Sequence, residues 1–325
     1  MKKSNIGGQA VLEGVMMKSP DCIAIAVRRP DGIIEVEKET TNSLTDKYKI
    51  LGLPIIRGMV TFFETMVIGI KTLMTSAELY GDEEELEDYQ PSKFERFLSD
   101  KTGKDIDDIM IGTALVLAII FAVILFVIIP TTVASFLRKK IENDVTMNVI
   151  EGFIRLAVFL IYIVSISQIK DIRRVFEYHG AEHKTIHCYE HEEELTVDNA
   201  RKYTTLHPRC GTAFLLIVMI ISIFVFSLLG WQEFFMRIIT RMLLLPVISG
   251  IAYEVIKWAG KSESKLVNII MYPGLMLQKL TTKEPDDEQL EVAIEAFLAV
   301  TECNESEMKD EPQVDGNTIY SSPET

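Results

Sequence analysis

Residues 109–137 read IMIGTALVLAIIFAVILFVIIPTTVASFL, without one charged side chain. That is well beyond the roughly 20 apolar residues needed to cross a bilayer. A second uncharged run of spanning length covers Cys210 to Gln232. A third, 147–169, carries Glu151 and Arg155 near its start, four apart and so able to pair on one helix face. A fourth, 237–258, has Arg241 and Glu254 bracketing its apolar centre and Pro246 placed to kink it. Pro130 kinks the first, which packing in a bundle tolerates. These runs predict an α-helical integral membrane protein with about four transmembrane helices and a small N-terminal β-containing cytoplasmic domain.

The composition agrees. The chain of 325 residues is 48% hydrophobic and 25% charged, with a mean hydropathy of +0.20. Segregation into apolar membrane segments and charged soluble parts accounts for both figures. A formal net charge of −14 excludes nucleic acid as a partner and leaves the lipid bilayer, with a second copy or another membrane protein as further partners. Cys22, Cys188, Cys210 and Cys303 are scattered and suggest no disulfide framework, which suits a reducing compartment. The start, MKKSNIGGQAVLEGVMM, lacks the continuous apolar core of a cleavable signal.

Basic residues near the helix ends give the orientation. Residues 170–209 carry Lys170, Arg173, Arg174, Lys184, Arg201, Lys202 and Arg209. Lys93, Arg96, Lys101 and Lys104 precede the first run, and Lys257, Lys261 and Lys265 end or follow the last. The short connection RKKIENDV argues the other way, three regions against one. Both termini and the segment 170–209 are therefore expected in the cytoplasm.

Outside the membrane domain of 109–260, residues 1–50 read as a β-rich segment. CIAIAVRRPDGIIEVEKE alternates on both sides of the turn Pro30-Asp31-Gly32. Residues 51–80 read as an amphipathic helix whose charges, Arg57, Glu64, Lys71 and Glu78, recur every seven positions in one narrow stripe. It can lie in the membrane interface or pack on the protein's own bundle. An acidic linker and a pre-membrane helix fill 81–108, amphipathic helices 261–300, and a disordered tail 301–325. There is no internal repeat, phosphate-binding loop or dinucleotide fingerprint.

The candidate chemistry lies in FEYHGAEHKTIHCYEHEEE, residues 176–194. His179, His183, His187 and His191 follow one another at intervals of four. On a helix each step drifts by about 40°, so only adjacent members share one ion. The bland reading makes the row the polar face of an interfacial helix. The sharper one starts from HGAEH, which fits H-x-x-E-H: two imidazoles bind zinc and Glu182 handles a proton as the catalytic residue. Gly180 weakens the helix that must carry them. His207 and Cys210, in LHPRCGT, are the candidates for completing the ligand set, although a lone cysteine is more often a packing residue. Gln9 and Glu13 sit among apolar residues in GGQAVLEGVMM, either satisfying backbone groups there or supporting the histidines.

At GGQAVLEGVMM, EYHGAEHKTI and LHPRCGT the chain resembles the YqhQ-type bacterial membrane proteins. These carry a domain of unknown function and are described as predicted metal-dependent enzymes. The resemblance runs to about Leu298 and implies a bacterial inner-membrane protein, without supplying a reaction. Gln9, Glu13, His179, Glu182, His183, Lys184, His207, Arg209 and Cys210 fall in its motifs. Two functions follow: a zinc-dependent hydrolase at the cytoplasmic membrane face, or a non-catalytic membrane scaffold or accessory factor with a structural His/Cys site. A transporter is a poorer third, because few ionisable groups are expected at mid-membrane depth.

Overall fold

The computed structural model describes residues 5–310, apart from 42, 82–91, 93–95, 97–100, 102, 104, 105, 262 and 263. Most of the expected acidic linker therefore lies outside the described residues, as does the tail beyond 310.

The N-terminal alternation forms an antiparallel meander, β1 (Gly7–Val11), β2 (Gly14–Lys18), β3 (Cys22–Arg28) and β4 (Ile34–Thr40), in the order β1-β2-β3-β4. Gly32 takes φ +87° in the β3–β4 turn, which favours glycine. Helix α1 (Leu44–Lys47) leads to α2 (Ile56–Tyr80). Val11, Met16, Ile23, Ile25 and Val27 point to one sheet face and pack with Ile68, Leu79 and Tyr80 of α2. Val15, Met17, Cys22, Ala24 and Ala26 point to the other face. The period of two thus sends alternate residues into two separate cores. Three of the four charges in the α2 stripe are seen partnered within the chain: Arg57 pairs with Glu254, Glu64 accepts from Ser43 and Leu44, and Lys71 pairs with Glu39.

Among the described residues, three helical stretches are long and apolar enough to cross a membrane: Ile109–Leu137, Asp144–Ile166 and Phe234–Ala259. The first comprises α3 (Ile106–Val123), a π-helical segment (Ile124–Ile128) and α4 (Ile129–Leu137). Pro130 has no N–H for the ladder, and the wide turn lies just before it. The second is α5 (Asp144–Ile166), followed by the polar α6 (Lys170–Glu190) and the short α7 (Val197–Ala200). The run from Cys210 gives an apolar but shorter helix, α8 (Gly211–Ser227), below the length of those three. Cys210 caps α8 by accepting from the Thr212 N–H.

Helix α9 (Phe234–Lys261) supplies the last long stretch, with α10 (Lys265–Thr281) and α11 (Asp287–Asp310) after it. Helix α11 lies across the sheet beside α6, and Leu290, Val292, Ala293, Ala296, Phe297 and Val300 join the core of Val15, Met17, Tyr178 and Ile186. Two expectations are corrected by this helix. The chain remains helical through 301–310, and Cys22 is disulfide-bonded to Cys303. The two cysteines are brought together because α11 crosses the end of β3, a proximity that spacing along the chain does not reveal.

Gly180 lets the segment after α10 reach α6. A Cβ there would sit 2.0 Å from the Lys283 carbonyl oxygen, and the Lys283 N–H donates to the Phe176 carbonyl at 2.8 Å. In an open helix position Gly→Ala gains about 1 kcal/mol. At position 180 the clash with backbone dominates, and overpacking of this kind costs roughly 1–3 kcal/mol. Gly180→Ala is expected to lower the thermal midpoint of the detergent-solubilised protein by several degrees. Gly112→Ala, with nothing within 4 Å of its Cβ, should leave the midpoint unchanged or slightly higher.

Candidate metal centre

Helix α6 is polar, yet from Tyr178 to Glu190 it is mostly buried, which removes the interfacial reading of the histidine row. Backbone carbonyls of the neighbouring segments meet its side chains. His179 Nδ1 lies 2.8 Å from the Thr281 carbonyl, and His183 Nδ1 lies 2.5 Å from the Thr205 carbonyl. A carbonyl only accepts, so each Nδ1 carries the proton and each Nε2 carries a lone pair. His179 Nε2 is 3.2 Å from Cys210 Sγ. His183 Nε2 is buried with no hydrogen-bond partner. Ligand atoms of His179, His183 and Cys210 lie within 4.8 Å of one another. A tetrahedral zinc with bonds of about 2.0–2.3 Å spaces its ligand atoms roughly 3.5 Å apart, so the set fits with small adjustments.

The neighbouring groups are tuned by burial. Desolvation holds the His183 imidazole well below its usual pKa, with the nearby His179 adding to the effect, so the ring is neutral. Glu182 is 5% exposed, its Oε2 has no hydrogen-bond partner, and burial raises its pKa to about 7. A hydrogen bond from the Gly8 backbone works against that rise. Gly8 permits this approach: a Cβ there would lie 2.9 Å from Glu182 Cδ. Glu182 stands beside the triad without belonging to it.

His207 lies elsewhere than expected. It joins His187 and Glu190 in a second cluster, with ligand atoms again within 4.8 Å of one another. His187 Nε2 donates to the Leu206 carbonyl at 2.9 Å, while His207 Nδ1 accepts from the Arg209 N–H at 3.3 Å. That acceptor role puts the His207 proton on Nε2, 3.6 Å from Glu190 Oε2. Burial pushes the His207 pKa down to about 4. The rings of His183 and His207 are 5.6 Å apart, centroid to centroid, so the two clusters adjoin. Gln278 fixes the His207 backbone, accepting from its N–H and donating to its carbonyl, both at 2.8 Å.

Residues 53–303 match the family described as Protein of unknown function (DUF1385). The chain belongs to that family. It is 37% identical over 294 residues to "Uncharacterized protein YqhQ" of Bacillus subtilis (strain 168), covering 90% of each chain. No solved structure matches. Neither description names an activity.

The remaining motif residues of this DUF1385 chain serve the architecture around the triad. Gln9 is on the sheet face toward α2, donating to the Gly69 carbonyl at 3.4 Å, and so turns away from the histidines. Glu13 has φ +47° in the β1–β2 turn and pairs with Arg174, while the Tyr178 hydroxyl donates to it at 3.2 Å. It clamps the hairpin to α6 through Arg174 and through Tyr178, the residue just before His179. Lys184 donates to the Arg201 carbonyl at 3.0 Å and pairs with Glu284. Arg209 pairs with Glu190. Glu190 was not singled out from sequence, although it follows His187 by three positions and so shares its helix face.

Glu182 has a pH-dependent consequence in metal-free protein. Its folded-state pKa lies above the ordinary 4.5, so burial costs little below that pH and more as pH rises through 7. A rise of this size corresponds to a cost on the order of 3 kcal/mol at pH 8. With chelator present, Glu182→Gln is expected to raise the thermal midpoint at pH 8 and to leave it near wild type at pH 4.5. An equal effect at both pH values would contradict the buried-carboxylate account.

Proposed function

We propose that the chain is a four-span protein of the bacterial inner membrane, with both termini and the sheet-bearing head in the cytoplasm. There it holds one divalent metal, zinc by its donor set, and acts as a metal-dependent hydrolase at the membrane face. The observation carrying this reading is the pre-set ligand state of His179 and His183. Backbone carbonyls hold both Nδ1 protons, and the Nε2 atoms meet Cys210 or nothing at all.

Two imidazoles and a thiol suit zinc, and three protein ligands leave a position open, as catalytic rather than structural sites do. A bound zinc would supply Lewis acidity. Glu182, with a pKa about 7, is the group to take a proton from water at Oε2 and return it to a leaving group. His183 closes the back of the site, while His179 and Cys210 are partly exposed at the start of apolar α8. A substrate would therefore arrive along the membrane surface.

Four spans are supported by the alternation of the helices. The connections 138–143 and 228–233 meet at one end: Asn148 Nδ2 donates to the Gly230 carbonyl at 3.0 Å, and the Trp231 N–H to Asp144 at 3.1 Å. The head lies at the other end, so α8 runs the same course as α5 and α9 despite its length. The seven basic residues of 170–209 favour a cytoplasmic head. The Cys22–Cys303 bond pulls the other way, since structural disulfides persist mainly in oxidising compartments.

Metal analysis of purified protein separates the outcomes. His183→Ala and Cys210→Ser are expected to lower the metal per chain by more than half, while Gln9→Ala, Glu13→Ala and Glu182→Gln retain it. Glu182→Gln should abolish hydrolysis with metal kept. Native protein without stoichiometric metal at neutral pH leaves only the scaffold reading. If His207→Ala strips the metal as fully as His183→Ala does, the ion belongs to a site spanning both clusters.

Orientation is tested with a single reporter cysteine at Glu192, an exposed position just after α6. A membrane-impermeant thiol reagent should modify it only after the cells are opened. Ready labelling of intact cells would place the head outside.

A further inference from the structure

Away from the metal triad, α4, α5 and α9 bring four ionisable side chains together inside the apolar bundle. Glu151 is fully buried on α5. Arg241 forks onto both of its oxygens, with Nη2 at 2.6 Å from Oε2, and also donates to the Thr131 hydroxyl at 2.7 Å. Thr131 in turn donates to Glu151 at 2.7 Å. Arg155 Nη2 stands 3.7 Å from Glu151, while its Nε donates at 3.1 Å to the Phe126 carbonyl, in the π-helical segment. Arg237 Nη2 donates to the Ser135 hydroxyl at 2.7 Å. Glu151 and Arg241 both sit about 10 Å from the starts of their helices, by the rise per residue.

The charges do not balance. Three guanidiniums face one carboxylate, and arginine stays protonated in proteins. Arg237 is 4% exposed, and its Nε and Nη1 are buried without a hydrogen-bond partner. Nη1 lies 3.5 Å from Glu151 Oε2 but makes no hydrogen bond to it. Glu233, four positions before Arg237, is exposed and attracts it only from a distance, with no contact to Nε or Nη1. The Trp231 ring covers the guanidinium at 3.8 Å, and Phe226 faces Arg155 and Arg241 at 5.2 and 5.3 Å. Aromatic faces ease the burial of cations but accept no N–H fork. An uncompensated charge inside a membrane domain is costly and marks a functional site.

We infer that this cluster is a binding site for a phosphate-class oxyanion, held by Arg237 and Arg155 beside the Arg241–Glu151 pair. A tetrahedral oxyanion offers several acceptor oxygens to the guanidinium fork, and a dianion matches the excess of two positive charges. Free phosphate and the phosphate of a lipid head group share this chemistry. The inference depends on the membrane reading only for the depth of the site, and not on the metal centre.

The test uses full-length, chelator-treated protein in a non-ionic detergent, at ionic strength held constant with chloride. Thermal unfolding is followed with inorganic phosphate, and separately with phosphatidic acid against diacylglycerol of the same acyl chains. One phosphate source is expected to raise the midpoint by several degrees, with the apparent affinity at least tenfold weaker in Arg237→Gln. Exposed Arg173→Gln, on the head, should respond as wild type does. A response to inorganic phosphate identifies a free anion; a response to phosphatidic acid alone identifies a lipid head group. Should Arg237→Gln fail to fold, Arg237→Lys keeps the charge, loses the fork, and is expected to bind more weakly. The inference falls if neither source stabilises wild type above its control, or if the folded Arg237 variant responds as wild type does.

Discussion

The head of the molecule depends on one constraint: a polar helix is buried, and its side chains must find partners there. An unpaired buried polar group costs roughly 1–3 kcal/mol, so helix α6 dictates where its neighbours run. Carbonyls of Arg201, Thr205 and Leu206 line up to receive Lys184, His183 and His187, and the Thr281 carbonyl receives His179. The connection between α7 and α8 is thereby held against α6, and Gln278 fastens its far end. Once those carbonyls are committed, the lone pair of His183 has no protein donor left to meet, and that of His179 faces the Cys210 sulfur.

The sheet completes the enclosure through its own alternation. Its inward face carries Val15, Met17 and the small residues Ala24 and Ala26, which let α6 and α11 lie close. Glycine at position 8 removes the last side chain between β1 and Glu182. The carboxylate thus rests against backbone rather than against a solvated or charged group, and this is why its ionisation is suppressed. The suppressed ionisation of one glutamate therefore has its origin in a strand more than 170 residues earlier.

How far the sequence reveals all this depends on the kind of information each feature needs. The meander and the apolar helices are periodic, so alternation and run length carry them. His179 and His183 are linked by helical spacing, and Cys210 meets them at the start of the next apolar run. His207 parted from that group because its ring is placed by a loop, where Arg209 and Gln278 decide its direction. Gln9 faces α2 by strand parity, which can be read only once the strand's buried side is known. The arginine cluster was hidden for a different reason. Arg237 and Arg241 lie some 86 positions from Glu151 and Arg155 by numbering, and nothing in either segment gives the rotation of one helix against the other.

The inward face of the sheet is covered by α11, and α11 is the last described element of the chain. The strands are synthesised before α11, and the apolar helices described above are made between the two. A nascent head therefore keeps Val15, Met17 and Ala24 uncovered until α11 has left the ribosome. Its contacts have very high sequence separation, the situation that slows folding and exposes strands to wrong partners. Loss of the C-terminal helix would therefore be felt first at the opposite end of the chain. Until α11 arrives, the apolar face that it covers stays open to wrong partners.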